Sequence, residues 1–191
     1  LIETAFRKHA DKTAYTFLGK SLSFAEVDRL SRMLGGYLQS LGLQRGDRVA
    51  VMLPNVPQYP VAIAAILRAG YILVNVNPLY TPRELEHQLK DSGAKAIVVL
   101  ENFANTLQEV ADRVPTRHVI VASMGDLIGF KGLIVNYVVR KVKKLVPAYR
   151  LPGAVSFEQA LSRGGSLPFT PAHAQPDDVA VLQYTGGTTG V

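Results

Sequence analysis

The chain has 191 residues, 48% hydrophobic and 19% charged, the proportions of a soluble globular domain large enough to bury a core. It contains no cysteine, which excludes disulfides, thiolate metal sites and a cysteine nucleophile and is compatible with a reducing compartment. The net charge of +6 has a local origin: six of the 21 basic residues and none of the 15 acidic ones lie between Leu127 and Phe157, so the pI near 9.6 does not describe a basic protein built for nucleic acid.

Leu1 to Ala10 reads as a helix with Leu1, Ile2, Ala5 and Phe6 on one face. Ala14 to Leu22 gives two short strands around Gly19-Lys20, a hairpin. Ser23-Phe24-Ala25-Glu26 is a capping box, which predicts a helix to about Leu41 with Gly42 as its stop. A regular alternation follows. Arg48–Leu53 reads as a buried strand, Tyr59–Ala69 as an apolar helix ended by Gly70, and Tyr71–Val76 as a strand. Thr81-Pro82-Arg83-Glu84 is a second capping box, opening a helix that Gly93 closes. Ala96–Leu100 is a strand, Phe103–Val114 a helix and Val119–Ala122 a strand. Strands alternating with helices predict an α/β fold: a mostly parallel sheet with right-handed crossovers and helices on both faces.

The basic stretch, drawn as one helix at about 100° per residue, gathers Ile134, Val135, Val138, Val139, Val142, Leu145 and Val146 on one arc. Asn136, Arg140, Lys141, Lys143 and Lys144 lie opposite. Such a helix ordinarily packs its apolar face on its own domain; the functional alternative is contact with an anionic membrane through the four cations. Pro168 to Pro176 reads as a surface connector, and Asp177-Asp178 as an exposed turn rather than a metal pair. The four histidines have no metal-ligand spacing, and no Gly-x-Ser-x-Gly elbow occurs.

The last residues are the most informative. A short apolar run, Val179 to Leu182, reads as a buried strand and breaks into Tyr184-Thr185-Gly186-Gly187-Thr188-Thr189-Gly190-Val191. Three glycines allow close backbone approach, and three threonines add hydroxyls. Several N–H groups turned into one concavity make an anion nest, for which a polyphosphate is the natural guest. A Walker loop is unsupported: it needs Gly-Lys-Ser/Thr five residues on, where Gly186 leads to Val191.

This run resembles the phosphate-binding signature of adenylate-forming enzymes, Tyr-Thr-Ser-Gly-Thr-Thr-Gly, with Gly186 where many members have Ser. Leu22–Val27 is similar to the family's first core motif, with Phe24 for Tyr and Val27 for Leu, and Leu67–Pro78 to its second. Asn77–Leu85 looks like the acyl-CoA synthetase branch, closest to the bacterial long-chain fatty acyl-CoA synthetases. The resemblance implies residues 1–191 of a large N-terminal adenylation domain, with the C-terminal domain and the catalytic Lys outside this chain. No catalytic residue is therefore assigned here. It implies ATP, Mg²⁺ and coenzyme A, a fatty acid substrate, and phosphate contacts at Thr185, Gly186, Gly187, Thr188, Thr189 and Gly190. It implies a cytoplasmic location, at most peripheral on the inner face of the membrane, and leaves a homo-oligomer open. Two readings of other classes stay open beside it: a non-catalytic nucleotide-binding module, and a membrane-surface module using the segment Lys131 to Arg150.

Overall fold

The computed structural model describes residues 2–185. A short helix α1 (Ile2–Lys8) leads into the hairpin β1 (Thr13–Phe17) and β2 (Lys20–Ser23), then the long helix α2 (Phe24–Ser40). The capping box forms as the sequence requires: Glu26 N donates to Ser23 Oγ at 3.1 Å, and Ser23 N donates to the Glu26 carboxylate at 2.8 Å. There follow β3 (Arg48–Met52), α3 (Gln58–Arg68), β4 (Ile72–Asn75), α4 (Pro82–Ser92) and β5 (Ala96–Leu100). The Thr81/Glu84 box opens α4, and Gly93, in the left-handed region at φ 63°, closes it. After α5 (Ala104–Gln108) come β6 (His118–Ala122), α6 (Phe130–Tyr137), β7 (Val155–Ser156), α7 (Phe157–Gly164) and β8 (Val181–Gln183).

Apart from the hairpin, the strands form one six-stranded sheet in the order β7-β6-β5-β3-β4-β8, parallel throughout. Strands β3 and β5 are apolar at nearly every position because both of their faces are covered. Val49 and Val51 pack with Leu34, Leu38 and Ile66 beneath α1, α2, α3 and α7. Ala50 and Met52 face Leu85, Leu89 and Leu107, from α4 and α5. Each fully buried Leu or Ile contributes about 1.5–3 kcal/mol. Helices α2 and α7 approach backbone to backbone: a Cβ on Gly164 would stand 1.8 Å from Met33 O.

Three expectations change. The helix expected over Phe103–Val114 is a 3-10 turn (Glu101–Phe103), the short α5 and a second 3-10 turn (Ala111–Arg113). Its buried positions Ala104, Leu107 and Val110 recur every third residue, a spacing that tighter winding serves better. The single helix expected through the basic stretch is α6 followed by a π-helical turn, Val138–Val142, in which Lys143 N donates to Val138 O; Lys144 then has φ 51° and the helix is over. Four β-branched valines (135, 138, 139 and 142) crowd a regular α-helix here. The strand expected to be buried over Val179–Leu182 is β8 (Val181–Gln183), which starts two residues later, ends one residue later and lies at the sheet edge. Val179 and Val181 are exposed, and only Leu182 packs inward.

A buried cation ties the helices together. The Arg68 side chain is 2% exposed and pairs with Glu3 at 2.6 Å and Asp28 at 2.8 Å. It also donates to Ser31 Oγ and lies over the rings of Phe6 and Phe169. Replacing Glu3 by Gln together with Asp28 by Asn leaves this guanidinium buried without counter-charge and is expected to lower the unfolding free energy by about 3–5 kcal/mol in urea titration. Arg68→Met keeps the packed stem and leaves both carboxylates at the water's edge, so its expected loss is smaller. The reverse order would contradict this account of the pair.

Candidate functional site: the carboxyl edge of the sheet

From β3 the chain crosses to β4 on one side, then returns past β3 to pair β5 on the other. This reversal is the topological switch point, and the crevice beyond the strand carboxyl ends at such a point is the ordinary ligand position in open α/β sheets. Strand β8 pairs β4 in parallel, with Leu73 opposite Val181 and Asn75 opposite Gln183. Tyr184 and Thr185 therefore leave the sheet on this same edge.

Side chains at the end of β4 tie the edge together. Asn75 Nδ2 donates to Gln183 Oε1 at 2.8 Å, and Tyr59 on α3 donates its hydroxyl to Asn75 Oδ1 at 3.0 Å. Gln88 Nε2 from α4 donates to the Asn75 carbonyl at 2.7 Å. The Tyr184 hydroxyl bonds to the Asp91 carboxylate; burial first, and this bond second, push the phenol up to about 12. The residue before the glycine-threonine run is thus held in place. Thr185 follows, exposed at the edge. Gly186, Gly187, Thr188, Thr189 and Gly190 lie outside the described residues. Asn75, Tyr59 and Gln183 were not singled out from the sequence; the available signal was a polar Asn in an otherwise apolar strand.

At the ends of β5 and β6 the edge carries charge. Glu101, almost wholly buried, accepts two bonds from Arg140 Nε at 2.9 and 3.1 Å, while Arg140 Nη2 also donates to Ser123 Oγ at 2.8 Å. Arg140 lies in the π-helical turn, so that turn clamps α6 to the end of β5. Asp126 caps the loop after β6 by accepting from Ser123 N at 2.8 Å, and Gln58 Nε2 donates to the carbonyls of Ser123 and Asp126. Burial raises the Asp126 carboxyl to about 7; the Ser123 N–H opposes the shift, and the charges of Glu158 and Glu101 add to it.

The four cations placed together by the sequence have different surroundings. Arg140 is engaged with Glu101, whereas Lys141, Lys143 and Lys144 are exposed. The predicted apolar arc divides as well: Ile134, Val142 and Leu145 are exposed and Val135, Val138, Val139 and Val146 half-buried, while Asn136, expected opposite that arc, turns inward. Gly132 and Asn136 face the body: a Cβ on Gly132 would meet Gly125 O at 1.9 Å, and Asn136 Oδ1 accepts from Gly125 N at 2.7 Å. Phe130, Leu133, Ile134 and Tyr137 form an exposed stripe, 79, 67, 55 and 64% accessible. The expected packing of the whole apolar face on its own domain is thus absent among the described residues. Asp178, set aside as a turn residue, pairs with Arg45 at 2.6 Å. Among the described residues, no three His, Asp or Glu side chains stand together as metal ligands.

The sequence profile of AMP-binding enzymes matches residues 2–191. The chain belongs to the AMP-binding enzyme family. A long-chain-fatty-acid–CoA ligase of Escherichia coli O6:H1 is 52% identical over the whole chain, which spans 34% of that protein. One from Bacillus subtilis is 36% identical over 94% of the chain and 32% of its own length. The chain therefore spans about a third of these family members. Among solved structures, a long-chain-fatty-acid-CoA ligase from Archaeoglobus fulgidus superposes with a TM-score of 0.73 at 27% identity, over 99% of this chain and 34% of that one. An anthranilate CoA ligase in complex with anthranoyl-AMP superposes with a TM-score of 0.78 at 22% identity, over 99% and 32%, and shares the fold. The parallel sheet expected from the sequence is the architecture of this family's N-terminal domains.

Asp126 gives a pH prediction. Its folded value lies above the ordinary 3.8, so the native state holds a proton that the unfolded state releases. The associated stability is fully present below about pH 4 and is lost as pH rises through about 7. Asp126→Asn keeps an acceptor for Ser123 N and cannot ionise. Its unfolding midpoint is expected to fall less than wild type between pH 4 and 7, and parallel profiles would refute the assignment.

Proposed function

We propose that the chain is the N-terminal part of a long-chain fatty acid–CoA ligase. The observation that carries this reading is the exit of β8 at the carboxyl edge, where a clamped Tyr184 leads into a Thr/Gly run of phosphate-binding type. In the reaction, a fatty acid carboxylate oxygen attacks the α-phosphorus of ATP; the bond to the β-phosphate bridge breaks and pyrophosphate leaves. The thiol of coenzyme A then attacks the acyl carbonyl, AMP departs with its oxygen, and the thiol proton is lost to a base.

The role assigned to Thr185, Gly186, Gly187, Thr188, Thr189 and Gly190 is to hold the β- and γ-phosphates. Charge builds up on the departing pyrophosphate, and preset N–H and hydroxyl donors stabilise it more than they stabilise bound ATP. Magnesium, when bound, neutralises phosphate charge. The hydroxyls of Thr185, Thr188 and Thr189 are the oxygens this segment would offer it. In the full-length protein, Thr188→Ala is expected to slow fatty-acid-dependent pyrophosphate release by about 10²–10³-fold, the usual loss for one oxyanion donor. Thioester formation from supplied acyl-adenylate should change far less. Pyrophosphate release at the wild-type rate would sink the phosphate assignment.

A second reading, peripheral contact with an anionic membrane, is favoured by the outward stripe Phe130, Leu133, Ile134 and Tyr137 beside Lys141, Lys143 and Lys144. Each lysine at such a surface is worth about 1 kcal/mol, and an apolar stripe left in water gains by entering lipid. Because Arg140 neutralises buried Glu101, the informative variant changes only the three lysines to Gln. Co-sedimentation of full-length protein with phosphatidylserine vesicles is expected to drop with that variant and with salt. Binding that survives both would remove this role.

A further inference from the structure

The last turn of α4 carries a carboxylate that its own helix does not explain. Asp91 is next to last in the helix, where the free carbonyls disfavour a negative charge. The helix end is fastened without it, by Gly93 and by Arg48, whose Nε donates to the Ser92 carbonyl at 2.7 Å. Asp91 instead accepts from the Tyr184 hydroxyl, 93 residues on. Three residues earlier and on the same face of α4, buried Gln88 donates to the Asn75 carbonyl at 2.7 Å. One helix face thus holds both the end of β4 and the residue that follows β8.

Successive residues of a strand project to opposite faces of the sheet, and the end of β8 is gripped on each. Leu182 and the Tyr184 ring pack on the α4 side, in the cluster that contains Leu85 and Leu89. Gln183 is held from the other side by Asn75, which accepts from Tyr59 on α3. An aromatic ring alone can slide on an apolar face; the bond from its hydroxyl to a carboxylate fixes where it stops. Burial and this bond push the phenol up to about 12, so the hydroxyl remains a donor at neutral pH. We propose that Asp91 is a positioning residue: by holding the Tyr184 hydroxyl it sets the direction in which the backbone enters the Thr/Gly run, and with it the aim of the donors there at the departing pyrophosphate. The proposal rests on the phosphate role of that run argued above. Donors preset for a transition state work only in their correct place, so a small roll of the strand end weakens them.

The test compares Tyr184→Phe, Asp91→Ala and Asp91→Asn in the full-length protein. It reads fatty-acid-dependent pyrophosphate release and, separately, thioester formation from supplied acyl-adenylate. Tyr184→Phe and Asp91→Ala are each expected to slow release about tenfold at saturating ATP, inside the 10²-fold that a displacement of about 1 Å can cost. Thioester formation should stay near its wild-type rate. The double variant should lose no more than either single one, because both remove the same bond. Asp91→Asn keeps an oxygen that accepts the hydroxyl and should recover most of the loss. Equal losses in both half-reactions would mean a structural role only and overturn the proposal, as would additive losses. Thr188→Ala is assayed alongside. If it slows release and the Asp91 and Tyr184 variants do not, the positioning fails alone. If the coupled loss appears while Thr188→Ala releases pyrophosphate at the wild-type rate, the phosphate role of Thr188 fails and the Asp91–Tyr184 coupling stands. Wild-type release in every variant defeats both.

Discussion

A parallel strand buried on both faces has no water along its edges, so its backbone must find partners on each side. Strand β3 is in that position. It pairs with β4 through Arg48–Val51 and with β5 through Val49–Met52. Since both neighbours are parallel to it, each crossover must pass over a face of the sheet, and every strand delivers its carboxyl end to the same edge. The rest follows from this constraint. The reversal of winding at β3 opens the crevice, and the pairing of β8 on β4 brings Tyr184 and Thr185 to that edge.

The return of β8 needs help, because the chain reaches it from α7 through a connector without regular structure. That connector is fastened to α2 and α3 by specific contacts. Gln39 exchanges hydrogen bonds with the backbone of Thr170 at 2.8 and 3.1 Å, and Ala172 N donates to Arg68 O at 2.7 Å. Arg45 holds the His173 carbonyl and the Asp178 carboxylate. Phe169 lies against Gly35 and over Arg68. One residue, Arg68, thus joins the first helix, the helical layer and the path to the last strand.

Elements whose signals are local were legible in the sequence. The boxes at Ser23 and Thr81 and the stop at Gly93 depend on residues within one turn of each other, and the structure has them where the sequence puts them. The same device at Ser156 and Gln159 opens α7, but a two-residue strand and the basic stretch before it hid the pattern. What could not be read depends on distant partners. Nothing near Val179 says that its strand ends up at an edge, and nothing near Arg140 says that Glu101, buried at the end of β5, takes its charge. The arc of valines gave a regular helical face, yet the close contact of Gly125 and Gly132 turns Asn136 inward and Phe130, Leu133 and Tyr137 outward. At the candidate site the Gly/Thr composition of the run after Tyr184 was legible, while the contacts that hold the strand leading to it, Tyr59–Asn75–Gln183, came only with the register of β4 and β8.

The central claim is that the sheet's carboxyl edge, extended by the run after β8, receives the nucleotide. Hydrogen exchange of the full-length protein with and without ATP tests it most directly, since amides that grip phosphate become slow to exchange when it binds. The account predicts slowed exchange in the peptide covering Gln183 to Gly190, with a smaller effect at the end of β4 and none in α6. Protection confined to other segments, with Gln183 to Gly190 exchanging equally in both states, would contradict it.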